Sequence, residues 1–139
     1  MSDAVERLTD DQCWELLEGS VFGRLALCVD GQPEIFPLNV YVADGRILLR
    51  TAEGTKLTQL GVNDRAVFET DAFTSHVGWS VVAKGRARVL TESVEIDAAA
   101  ATPLHPWVPM GQSHYVEIEV DEVSGRRFAF GPDTAGAAV

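Results

Sequence analysis

Little in this chain speaks for a membrane span, a metal centre or a disulfide framework. It has no run of about 18 apolar residues, so no transmembrane helix is expected. Its first residues, Met1-Ser2-Asp3-Ala4-Val5-Glu6, are acidic and polar, the reverse of a secretory leader, so a cytoplasmic location is expected. Cysteine occurs twice, as Cys13 and Cys28, with no CxxC pair and no Cys/His cluster. Free thiols and no metal site are the expectation. Lysine is scarcer than arginine, with only Lys56 and Lys84 present, and neither sits in a Walker motif. No GxGxxG appears, so P-loop or Rossmann nucleotide binding is unsupported. No GxSxG elbow accompanies the three histidines, His76, His105 and His114, and each reads as a loop or strand-start residue rather than a catalyst.

What is present describes one ordinary domain. The 139 residues are 46% hydrophobic and 23% charged. A single domain over 1–139 is expected, with its core over about 8–130 and a flexible tail at 131–139. The formal charge of −10 argues against nucleic acid or an anionic membrane as partner. That charge is uneven. The segment 46–88 holds Arg46, Arg50, Lys56, Arg65, Lys84, Arg86 and Arg88 against Glu53, Asp64, Glu69 and Asp71, a local excess of three positive charges. Bases gathered in one segment of an acidic chain suit either a small anion site or a plain surface.

Local patterns favour strands. Thr9-Asp10-Asp11-Gln12 is a capping box that starts a short helix to about Glu18. Asp10 and Asp11 then match the helix dipole and are not a catalytic pair. Strands are expected over Arg24–Val29, Glu34–Val42 and Arg46–Thr51, joined as a meander by Asp30-Gly31 and Asp44-Gly45 turns. A short helix over Leu57–Val62, a strand over Ala66–Asp71 and a loop over Ala72–Gly78 follow. The long strand Trp79–Leu90 sets Val81, Ala83, Gly85, Ala87 and Val89 on one face, with Gly85 placed for a bulge. A helix over Ser93–Ala101, a proline-rich loop over Thr102–Gly111 and a strand over His114–Val120 complete the pattern, with Glu117 and Glu119 on the solvated face. The fold class is therefore mainly β: an antiparallel β-barrel of about six strands with short helices.

One segment carries candidate chemistry. Gly54-Thr55-Lys56 follows a strand and precedes a helix. Backbone N–H groups, a hydroxyl and an ammonium at a helix start form a phosphate cradle; a capped helix with a surface lysine is the plainer alternative.

The ordered set Gly23-Arg24-Leu25-Ala26, Pro37-Leu38-Asn39-Val40, Arg50-Thr51-Ala52-Glu53-Gly54-Thr55-Lys56-Leu57, Arg65-Ala66-Val67-Phe68-Glu69 and Gly78-Trp79-Ser80-Val81-Val82-Ala83-Lys84-Gly85-Arg86-Ala87 resembles the pyridoxamine 5′-phosphate oxidase-like flavin split-barrel superfamily. The resemblance spans roughly residues 8–130. It implies a six-stranded antiparallel split barrel that forms a homodimer, with FMN held between subunits. Carried over, Pro37, Leu38, Asn39 and Val40 line the flavin ring, while Arg50, Thr51 and Ala52 run beside ring and ribityl chain. Thr55 and Lys56 hold the phosphate, helped by Arg50 or an arginine of the long strand. Trp79 and Ser80 reach the flavin edge, and Trp107 of the proline-rich loop covers the partner's flavin. The implied activity is an oxidoreductase that passes hydride or electrons between a nicotinamide coenzyme and a small organic substrate, with no catalytic side chain of its own. The basic residues that grip the substrate phosphate in vitamin B6 oxidation have no clear equivalent. The alternatives are a reductase using a deazaflavin coenzyme, whose long anionic tail Arg86 and Arg88 would meet, a flavin or haem carrier or sensor, with a histidine on the haem, and a cofactor-free interaction module.

Overall fold

The computed structural model describes residues 4–132. The chain forms β1 (Val5–Arg7), α1 (Asp10–Glu18), β2 (Phe22–Val29), β3 (Gln32–Asn39), β4 (Tyr41–Ala43), β5 (Arg46–Ala52), α2 (Thr55–Val62), β6 (Arg65–Phe73), β7 (Val77–Val89), α3 (Ser93–Ala100) and β8 (Ser113–Ala129). The capping box is formed at the start of α1: the Gln12 backbone N–H donates to Thr9 Oγ1 at 3.2 Å, and the Thr9 N–H donates to Gln12 Oε1 at 2.8 Å. That helix buries Cys13 and Leu17 into the sheet.

All eight strands are antiparallel in one sheet, in the order β3-β2-β6-β7-β8-β5-β4, with β1 paired to β8. Both Asp-Gly hairpins are present, and both central residues of each turn have positive φ: 52° and 75° at Asp30-Gly31, 53° and 73° at Asp44-Gly45. That geometry matches the twist of a two-residue hairpin.

The expected meander is corrected. The segment Glu34–Val42 is two strands that break at Val40, whose N–H donates to Val21 O at 3.0 Å. β3 pairs with β2, and β4 pairs with β5. These hairpins therefore lie at opposite edges of the sheet. Because β3 and β4 do not pair with each other, the barrel is split there. Leu38, Val40 and Val42 are all buried, so alternation runs unbroken through the bend and hides it from the sequence.

The fold is the expected antiparallel split barrel, with eight strands among the described residues in place of six. One extra strand comes from the break at Val40, the other is the three-residue β1. β8 runs nine residues past its expected end at Val120, held by β7 on one side and β1 on the other. Helix α2 begins two residues before its expected start. The register of β7 against β8 shifts between Lys84 and Gly85, and a Cβ on Gly85 would collide with the Glu119 carbonyl, so the bulge needs glycine. Leu25, Leu49, Phe68, Val81, Val116 and Ile118 fill the barrel. A smaller cluster of Leu48, Leu90 and Ala99 fixes α3 outside it. Of the expected tail, residues 133–139 lie outside the described part.

Candidate cofactor site

A cleft of about 540 Å³ opens beside the split, between β3, β5, the first turn of α2 and the proline-rich loop. Period two turns Pro37 and Asn39 outward from β3. Arg50 and Ala52 face the same cleft from β5, and Lys56 enters from α2.

The loop is tied across the cleft by two contacts. The Trp107 backbone N–H donates to Asn39 Oδ1 at 2.9 Å, while Asn39 Nδ2 donates to Val21 O at 3.2 Å. The Trp107 indole stacks on Phe22 with centroids 4.8 Å apart and planes 8° from parallel, yet it stays 62% exposed. One face of this aromatic wall is therefore free.

The cleft is electropositive by arrangement. Arg24, Arg46, Arg65, Lys84, Arg86 and Arg88 each pair with a carboxylate. Lys56 and Arg50 do not, among the described residues. Lys56 Nζ sits 5.0 Å from the Phe36 ring centroid, and burial pushes its ammonium below the ordinary 10.5. Arg50 is held in place rather than neutralised: Nε and Nη2 donate to Ser113 Oγ at 3.1 and 2.7 Å, and the guanidinium lies 5.5 Å from the Tyr115 ring centroid. Gly54, with φ 147°, precedes α2 and offers no side-chain cap. The first-turn N–H groups of α2 thus lack a partner from a capping side chain.

The cleft brings together Pro37, Leu38, Asn39, Arg50, Ala52, Lys56 and Trp107. Four of the other expected site residues stand apart. Val40 and Thr51 are buried behind the cleft at 3% and 2% exposure, because alternation turns them inward. The Thr55 side chain lies outside the described part. Trp79 packs against the core beside β8, and Ser80 lines a different groove with Arg7 and Arg126. The long-strand arginines lie away from the cleft: Arg86 is paired with Asp64, and Arg88 with Glu95 and Glu117. None of the three histidines lines it, and His114 Nε2 lies 3.1 Å from Glu53 Oε1 instead. Sequence reasoning missed Phe22, and of the proline-rich loop it named Trp107 alone, where Pro106, Val108, Pro109 and Met110 also line the cleft. Phe22 stands one residue before the Gly23 segment, and Met110 closes the proline run that flagged Trp107.

Residues 9–127 match the family described as pyridoxamine 5′-phosphate oxidase. An uncharacterised Mycobacterium tuberculosis protein is 39% identical over 87 residues, covering 63% of this chain and 79% of its own length. A crystal structure of a Corynebacterium glutamicum protein superposes with a TM-score of 0.83 at 32% identity, covering 95% of this chain and 99% of that one. The structure of a Mycobacterium smegmatis protein described as FAD-binding superposes with a TM-score of 0.75 at 35% identity, covering 89% and 98% respectively. The chain belongs to the pyridoxamine 5′-phosphate oxidase family.

Proposed function

We propose that the protein is a cytoplasmic, homodimeric flavoprotein that binds FMN in this cleft and works as an oxidoreductase between a nicotinamide coenzyme and a small organic substrate. The observation that carries the reading is the pairing, in one cleft, of two unneutralised cations with an apolar wall. A flavin nucleotide has the matching halves, a phosphate dianion and a flat ring with polar edges. The description of the Mycobacterium smegmatis relative as FAD-binding supports a flavin and makes FAD the rival to FMN.

In this reading Lys56, the first-turn N–H groups of α2 and Thr55 hold the phosphate, with Arg50 beside them. The outward backbone of Pro37–Asn39 meets the ring, with Val40 and Thr51 packed behind as support. The exposed face of Trp107 excludes water from the ring of its own or the partner subunit. Trp79 lies away from the cleft of its own subunit, so it reaches a flavin only across the homodimer, and Ser80, which opens onto the groove of Arg7 and Arg126, takes no part in this reading. When bound, the flavin supplies the redox chemistry, and no side chain of the cleft is required as acid or base. A haem reading is weaker because no histidine lines the cleft. A deazaflavin reading loses the open basic groove it wanted, since Arg86 and Arg88 are already paired.

The test is a parallel titration with FMN, FAD, riboflavin, the deazaflavin coenzyme and haem, followed by turnover with NADH and NADPH and by light scattering. FMN binding tighter than riboflavin, a dimeric mass and coenzyme oxidation support the reading in full. Binding of none of the five removes it.

A further inference from the structure

Arg7 and Arg126 face each other directly across the β1–β8 ladder. Ser80 is the next residue in that row, opposite Arg126 on β7. Ser124, two residues from Arg126 on β8, shares their face. All four line one groove of about 520 Å³ on the outside of the sheet, with Asp10 at its margin.

Like charges directly opposed across strands are destabilising. Both arginines lack an ion-pair partner among the described residues, and Asp10, though it lines the groove, bridges neither. Six other basic side chains of this acidic protein are neutralised, so an opposed and unneutralised pair stands out. A carboxylate is satisfied by a single guanidinium fork; a tetrahedral dianion has oxygens enough to accept from two. The two serine hydroxyls and the Asp10 carboxylate offer partners for hydroxyl groups on the same ligand.

We propose that the Arg7–Arg126 groove is a second anion site, distinct from the Lys56 cleft, which binds a phosphomonoester bearing free hydroxyls, such as a small sugar phosphate. Arg7 and Arg126 take the phosphate. Ser80, Ser124 and Asp10 meet the hydroxyls.

The experiment is calorimetric titration of the full-length, flavin-loaded protein with ribose 5-phosphate and with inorganic phosphate, at constant ionic strength and with chloride as control. Saturable binding is expected, tighter for the sugar phosphate. It weakens at least tenfold in Arg7→Gln and in Arg126→Gln and is unchanged in Lys56→Ala saturated with flavin. In phosphate-free buffer Arg126→Gln melts at or above the wild-type temperature, because the repulsion is gone. No saturable binding, equal binding by the arginine variants, loss in Lys56→Ala, or binding seen only without flavin would each overturn the proposal. So would a melting temperature of Arg126→Gln clearly below wild type, since the arginine pair would then stabilise the fold by itself.

Discussion

Lys56→Ala is the sharpest perturbation of the cofactor cleft. Lys56 is half-buried, is not spent on a carboxylate among the described residues, and sits over Phe36 at 5.0 Å. Its charge is therefore available to an incoming phosphate. Losing one charge-assisted hydrogen bond costs about 1.5–3 kcal/mol. At about 1.4 kcal/mol per tenfold, FMN affinity should fall roughly 10- to 150-fold. Riboflavin has the same ring and no phosphate, so its affinity should change less than about threefold, an effect below about 0.7 kcal/mol. Lys84→Ala is the control, because Lys84 is exposed and faces Glu122 at 3.7 Å, on another strand and outside the cleft. The assay is quenching of flavin fluorescence during titration of each variant. Equal losses for FMN and riboflavin would refute the phosphate assignment, as would full FMN affinity in Lys56→Ala.

Three further outcomes are expected. Burial holds the Lys56 ammonium below its ordinary 10.5, so the flavin-free protein is penalised at neutral pH and gains stability as pH rises through the lowered value; Lys56→Met should raise its melting temperature at pH 7, and FMN affinity should decline on the alkaline side before pH 10.5 is reached. Trp107→Ala removes the stack on Phe22 and should weaken riboflavin and FMN alike, by about 1 kcal/mol or more, read in the same fluorescence titration. Gly85→Ala drives a methyl into the Glu119 carbonyl and should cost several kcal/mol in urea unfolding, about 2–4 by the usual scale of core overpacking and strain; a loss under about 0.5 kcal/mol would show that the bulge relaxes freely.

The legible parts of the fold were those with local causes. The Thr9–Gln12 capping box, the two Asp-Gly turns and the alternation along β7 each depend on residues within a few positions, and each is formed as read. The bend at Val40 was not legible, because inward and outward positions keep alternating through it while the pairing partner changes from β2 to β5. The C-terminal half of β8 was also hidden. Its Glu122, Ser124, Gly125 and Arg126 lack strand character, and pairing on both sides supplies what local propensity does not. In the site, the segments around Pro37, Arg50 and Lys56 converge on one cleft. Trp79 and Ser80 do not join them within one subunit, and no periodicity argument distinguishes a residue that completes its own cleft from one that could complete a neighbour's.

Charge explains more of the design than composition suggests. A net charge of −10 repels phosphorylated ligands at long range, and salt at physiological strength screens that repulsion beyond about 8 Å. What remains is local. Arg24, Arg46, Arg65, Lys84, Arg86 and Arg88 are neutralised by acids on neighbouring elements, so they contribute little field. The cations left without carboxylates among the described residues fall mainly into two places, Arg50 and Lys56 in the cleft and Arg7 and Arg126 in the outer groove. The pairing of these six bases therefore favours the two proposed sites, because it suppresses competing surface positions for a dianion. Reversing one neutralised pair should test this: Asp64→Asn frees Arg86, which is exposed and lines neither groove, and phosphate binding should gain no third saturable site. If it does, exposed charge alone suffices, and the geometry of the two grooves is not what selects the anion.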